Sequence, residues 1–328
     1  AGMPLAFIFS GQGSHWLGMG RDLYATAPAF RAVIDRLDEL VRAEAGWSLI
    51  DELNAAPDAS RLDDIDVVQS VLFAMQAGGV AVWGEVGVGP GVVLGRGRGE
   101  LPAAFAAGIL SLEDAARVIL ARSRLLRTKR GGGATAVVGL PAAEVEAALA
   151  PQADRLAVAG VTSFASTLIA GEAEALRAYL AELEAAGIFA RLLENVDVPA
   201  HSPAMDSLRP ALETALAAIA PRPAQLRFLS TVTLEDEPGP NLNAAYWSRN
   251  LRDPFRVADA VAKLFRERAH LFLEISPHPV LVGALRQILQ HVGADGVALG
   301  TLTREGDGAL DLASALGGLW ANGFAVDW

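Results

Sequence analysis

Residues 91–100 read GVVLGRGRGE, and no other stretch restricts the possible folds as much. Val92, Val93 and Leu94 form a strand-sized apolar run. Glycines follow at 95, 97 and 99, and LPAAFAAG then has helical composition. A strand that turns into a helix within so few residues needs glycine wherever the two backbones approach. The same frame underlies the nucleophile elbow, G-x-S-x-G, which holds a serine on a sharp turn between strand and helix. Here the middle residue is Gly97, so the frame is present and the hydroxyl is missing. A plain glycine turn is the simpler reading of these six residues alone. A dinucleotide-binding turn fails on spacing, because position 100 is Glu rather than Gly.

The rest of the chain predicts an α/β protein in two parts. LAFIF and the loop GQGS suggest a buried strand feeding a glycine loop. Helical spacing runs through 20–45 and 65–84, and Ser111 ahead of Glu113 and Asp114 marks another helix start. RTKRGGG, 127–133, reads as a hinge. After it, strands are expected at 134–140, 156–163, 166–172 and 188–195, with helices after the first and third. This β-α-β-β-α-β order is the ferredoxin-like arrangement. The expected division is a hydrolase-like α/β body over 4–132 and 197–306, a ferredoxin-like insert over 133–196, and a C-terminal helix and linker over 307–328. Within the body, strands are expected at 226–232 and 270–277 and helices at 205–220, 256–268 and 279–292, and the C-terminal helix is expected over 307–322.

Composition removes several function classes. Lys+Arg is 27 against Asp+Glu 38, a net charge of −11, which disfavours nucleic acid or an anionic membrane as the main partner. There is no cysteine, so disulfides, thiolate metal sites and a cysteine nucleophile are excluded. The five histidines, 15, 201, 270, 278 and 291, show no metal-ligand spacing. No basic region precedes the first apolar run, and the longest apolar stretches look too short or too interrupted to span a bilayer. A soluble cytoplasmic protein is the expectation.

Four further segments carry candidate chemistry. His201 in VDVPAHSP follows a strand and suits a general base on a loop, although a lone histidine is more often structural. The FSGQGS loop around Gln12 could turn its N–H groups toward an oxyanion. Arg122 and Arg124 lie at helical spacing, where arginine is usually solvated, but one facing a pocket would clamp a carboxylate. Asn250 in YWSRNLRDPFR could bond a neighbouring site group, whereas His278 in EISPHPVL reads as a turn residue.

In their order and spacing, FSGQGSHWLGMGRDL, the elbow, SLEDAARVILARSRLL, VDVPAHSP, AAYWSRNLRDPFR, LEISPHPVL and the closing VDW resemble the acyltransferase domain of modular type I polyketide synthases. That family includes the malonyl-CoA:acyl-carrier-protein transacylases. The resemblance runs from about residue 4 to Trp328. It implies the two-part fold, no bound cofactor, acyl-CoA (malonyl or substituted malonyl) as substrate, and a carrier protein whose phosphopantetheine thiol receives the acyl group. It also implies neighbouring synthase domains and ping-pong transfer through an acyl-serine. No such neighbours lie within these residues, so an excised domain is expected. By the same resemblance His201 is the general base and the Asn250 region orients it. Gln12 and the N–H of Arg98 form the oxyanion hole, Arg122 pairs with the free carboxylate, and Gln69 lines the pocket.

The departures from the family carry the functional question. The family elbow G-H-S-x-G-E is here Gly95-Arg96-Gly97-Arg98-Gly99-Glu100, so both the His and the Ser are replaced. No acyl-enzyme can form on glycine, and the domain is expected to be impaired or inactive. Ser10, Ser14, Ser163 and Ser166 sit on no elbow. Where the family carries YASH with methylmalonyl or HAFH with malonyl, this chain has Val198-Pro199-Ala200-His201. Small side chains at Val198 and Ala200 predict a pocket that admits substituted malonyl groups. Thr162-Ser163-Phe164 stands where relatives usually carry Asn-Gly-Pro. The Arg96–Arg98 pair could fill the old site or hold an anion there, although solvated arginine is the blander expectation. Two other readings stay open: a non-catalytic pseudo-acyltransferase serving as a structural module, and a hydrolase.

Overall fold

Ten strands form two sheets in the computed structural model, which describes residues 3–193, 196–268 and 270–328. They are β1 (Leu5–Phe9), β2 (Val92–Gly95), β3 (Ala134–Val138), β4 (Leu156–Ser163), β5 (Ser166–Gly171), β6 (Ala190–Leu192), β7 (Arg227–Phe228), β8 (Phe255–Arg256), β9 (Leu271–Ile275) and β10 (Val297–Gly300). The first sheet has the order β10-β9-β1-β2-β7, and all its pairs are parallel. Every residue of β1, β2 and β9 is buried, as expected when both faces of a parallel sheet are covered. Alternation along β1 divides the core. Leu5, Phe7 and Phe9 pack into the layer containing the helices Pro28–Ala45, Ile65–Glu85 and Leu112–Arg127. Ala6 and Ile8 face the helices Val257–Glu267 and Val282–Val292.

The second sheet has the order β6-β3-β5-β4-β8. Its first four strands pair antiparallel in the expected ferredoxin-like order. The fifth, β8, comes from the far side of the chain and pairs parallel to β4, Gly160 opposite Phe255. The insert and the body therefore share a sheet at the residue that also walls the site described below.

Several elements differ from the sequence expectation. β10 was not foreseen, because a short run between Gly296 and Gly300 becomes a strand only by pairing with β9. The strand expected at 226–232 keeps two residues. Beyond them Ser230 and Thr231 leave the ladder to bond side chains of the site. The helix expected at 205–220 is a 3₁₀ segment, Pro203–Leu208, followed by Arg209–Ala215. The strand expected at 188–195 is observed as β6, and positions 194 and 195 lie outside the described residues. The helix Ile65–Glu85 is, contrary to expectation, long and apolar enough to cross a membrane, with mean hydropathy 1.5. It is a buried core helix, with its side chains packed against the first sheet and neighbouring helices.

Candidate active site

The site lies beyond the carboxyl ends of β1 and β2, where open α/β sheets place ligands. β2 ends at Gly95, Arg96 is extended, and the chain turns through Gly97–Gly99 into the helix Glu100–Ala106. Gly97 has φ 53°, in the left-handed region. The strained backbone of a nucleophile elbow is therefore retained by a residue that adopts it without penalty. A Cβ added at Gly97 would stand 2.9 Å from His201 Nε2. Position 97 thus faces the imidazole, as a nucleophile would, and presents no hydroxyl to it.

His201 itself holds φ 59°, an uncommon conformation for a residue with a side chain. Its N–H donates to the Leu251 carbonyl at 3.0 Å. Its Nδ1 lies 2.8 Å from the Asp253 carbonyl. A carbonyl only accepts, so Nδ1 carries the proton and Nε2 turns its lone pair toward residue 97. Phe255 packs edge-on against the ring at 5.3 Å. Burial, followed by the positive charge of Arg122, lowers the imidazole pKa to about 3. The unfolded chain then takes up a proton below about pH 6.5 that the folded chain takes up only near pH 3. This contribution to stability is complete above pH 6.5 and is lost as pH falls toward 3. Chemical denaturation at stepped pH is expected to show the native chain losing stability across this window more steeply than His201→Gln, by a few kcal/mol in total.

Asn250 does not orient the histidine through its side chain. It lies on the helix Ala244–Arg252, capped by Asn243, and is fully buried. Its Nδ2 donates to the Gly97 carbonyl at 3.0 Å and to Glu100 Oε2 at 2.9 Å. Its Oδ1 accepts from Arg122 Nη1 at 2.9 Å. The orienting group is the carbonyl of Asp253, just past the end of the same helix. A main-chain acceptor leaves no side-chain signature in a sequence.

Glu100 received no role from the sequence, yet it ties the elbow to the body. Fully buried, it accepts from Tyr246 Oη at 2.7 Å, from Thr231 N–H and Oγ1, and from Asn250. Burial raises its carboxyl pKa above the usual value, against the lowering effect of these donors. Glu100→Ala is expected to leave the Thr231 N–H buried without a partner and to take one of two contacts from Tyr246 Oη, Thr231 Oγ1 and Asn250 Nδ2. The expected loss is on the order of 3 kcal/mol or more, read as a lower urea midpoint. The only sequence clue was its place directly after the elbow glycines.

Three arginines surround this point. Arg122, on the helix Leu112–Arg127, is buried, its Nε has no partner among the described residues, and burial lowers its pKa to about 10. Arg98 is also buried. Its guanidinium reaches Gln76 Oε1, the Ser10 carbonyl and the Gly11 carbonyl at 3.3–3.4 Å. Burial and the neighbouring Arg122 charge lower its pKa to about 9. Arg96 is half-buried, with its guanidinium 5.2 Å from the Phe255 ring centroid. Burial lowers its pKa as well, partly offset by Glu274.

Gln12, Gln69, Arg96, Gly97, Arg98, Arg122, Val198, Ala200 and His201 all line one cavity of about 140 Å³. Asn250 stands outside it, behind Gly97. Among the described residues, Thr135 is the only hydroxyl side chain on its wall. Ser10, Ser14 and Ser163 are buried elsewhere, with Oγ atoms that have no partner among the described residues. Arg124 bonds the Glu44 carbonyl, and His278 accepts from the Arg304 N–H, so neither joins the site. No group of three or more His, Cys, Asp or Glu among the described residues is placed to hold a metal.

A parallel α/β sheet with an elbow at its carboxyl edge, a buried imidazole facing the elbow and an arginine-lined cavity define a serine-hydrolase-like acyl-transfer frame. Residues 6–324 match the family profile described as the acyl transferase domain. The chain is 40% identical over its whole length to part of erythronolide synthase EryA2 of Saccharopolyspora erythraea, but spans only 9% of that protein. It superposes on the acyltransferase domain from module 8 of the salinomycin polyketide synthase with TM-score 0.96 and 38% identity, covering 99% of this chain and 77% of that one. For a loading acyltransferase of the avermectin synthase the figures are 0.91 and 37%, covering 96% and 99%. The chain belongs to the acyltransferase domains of modular polyketide synthases.

Proposed function

We propose that this chain is an acyltransferase domain for malonyl-type extender units whose covalent step is lost. In an intact member, serine takes the acyl group from acyl-CoA and a carrier-protein phosphopantetheine thiol takes it from the serine. That is acyl-CoA chemistry with no bound cofactor. The elbow backbone, the neutral His201 and the buried Arg122 support the acyltransferase reading. Gly97 carries the loss: a residue without a side chain faces the general base. Val198 and Ala200 on the cavity wall favour tolerance of α-substituted malonyl groups, as a preference of about 1–3 kcal/mol rather than exclusion.

The test is intact-protein mass after incubation with malonyl-CoA. The native chain is expected to keep its mass, and Gly97→Ser variants are expected to gain one malonyl group. A malonylated native chain would overturn the assignment at Gly97. Revertants that all stay unmodified would favour a non-catalytic structural module instead.

A further inference from the structure

The loss of the nucleophile is accompanied by a gain of charge. Arg96, Arg98 and Arg122 all line the cavity, and among the described residues none of them forms an ion pair with a carboxylate. The buried carboxylate nearest to the elbow, Glu100, already serves Thr231, Tyr246 and Asn250. Asp197, on the cavity wall, is engaged by Arg130, which leaves Asp63 as the other wall carboxylate among the described residues. Buried cations are costly unless paired. Among the described residues, Arg122 Nε, Arg98 Nε and Gln69 Oε1 are buried with no partner, although each residue is on the wall. A Gln amide turned about its last bond presents its NH₂ in place of that oxygen.

The thioester end of an acyl-CoA is neutral and does not compensate a cation beside the elbow. A carboxylate does. We propose that the cavity holds a free small dicarboxylate by non-covalent contacts, with one carboxylate on Arg122 and the other on Arg96. The first half rests on the malonyl-type reading above. The second comes from Arg96, which this chain has in place of the family's His. Arg96 reaches the mouth of the cavity, since it also lines the adjoining surface groove, and Phe255 supports its guanidinium. A dicarboxylate spanning the two arginines would compensate the charge on both. No bond forms or breaks, so the chain would act as a receptor for the free acid.

Isothermal titration of the 328-residue chain with malonate, monomethyl malonate and inorganic phosphate tests this. Malonate is expected to bind about tenfold or more tightly than its monomethyl ester, since the ester lacks one charge-assisted contact. Arg96→Gln, or Arg96→His at pH 8, should abolish that preference, with circular dichroism reporting the fold. Equal affinity for malonate and monoester, no malonate binding, a preference unaffected at residue 96, or phosphate binding as tight as malonate would each overturn the proposal. The two readings fail separately. Serine revertants that acylate in a chain that ignores malonate would sink only the receptor. Malonate binding in a chain whose revertants never acylate would sink only the acyltransferase reading.

Discussion

Gly97→Ser combined with Arg96→His is expected to turn a chain that malonyl-CoA leaves unmodified into one that carries a malonyl ester. In serine hydrolases, removing the nucleophile costs about 10⁶ in kcat, or on the order of 8 kcal/mol of barrier. Restoring it should recover most of that factor, because the other parts are in place. His201 Nε2 faces position 97 with its lone pair available, and Asp253 holds the tautomer. Two features separate the single from the double variant. A Cβ at residue 97 would stand 2.9 Å from Nε2, so the imidazole must retreat by a few tenths of an ångström. Arg96 adds to the positive field that lowers the His201 pKa and so weakens the base. Gly97→Ser alone should therefore acylate more slowly than the double variant, and His201→Ala in the double variant should remove the gain. Time-resolved intact mass at fixed malonyl-CoA measures all three.

Gly95→Ala or Gly99→Ala should damage the fold itself. A Cβ at Gly95 would lie 2.1 Å from the Gly99 carbonyl carbon and 2.2 Å from the Glu100 nitrogen. A Cβ at Gly99 would lie 2.1 Å from the Phe9 carbonyl oxygen. These are main-chain contacts, so no side-chain rotation relieves them. The end of β1 and the first turn of the helix after β2 would have to separate. We expect each variant to lose more than about 4 kcal/mol or to fail to fold, the range of severe core lesions. Gly89→Ala is the control. Gly89 is exposed, with nothing within 4 Å of the added carbon, so a change within about 0.5 kcal/mol is expected. Urea midpoints at constant m-value decide between these outcomes.

Much of the site was legible because its parts are local. The elbow is a six-residue pattern whose glycines are required by contacts within the same strand–turn–helix unit and with β1. Likewise, Ser111 caps its helix by accepting from the Asp114 N–H, as the Ser-Leu-Glu-Asp run implied. Most elements with a long hydrophobic period also formed close to where they were expected. The less legible parts depend on what the chain meets in three dimensions. The Asp253 carbonyl orients His201 from 52 residues away, and any residue type supplies a carbonyl. Glu100 draws donors from Thr231, Tyr246 and Asn250, each more than a hundred positions distant. β7 stops after two residues because Ser230 and Thr231 bond these groups instead of the ladder.

The sequence by itself determined that position 97 carries no nucleophile and that no cysteine replaces it, since chemistry that needs a side-chain atom is absent when the residue lacks one. It also determined the α/β alternation and the ferredoxin-like insert, because both follow from short-range periodicity. Only the tertiary structure decided that Gly97 faces the His201 imidazole and that three arginines share one cavity. Distance and desolvation between groups remote in the chain set how a base titrates and whether a buried charge is paired, and neither is a property of any segment alone.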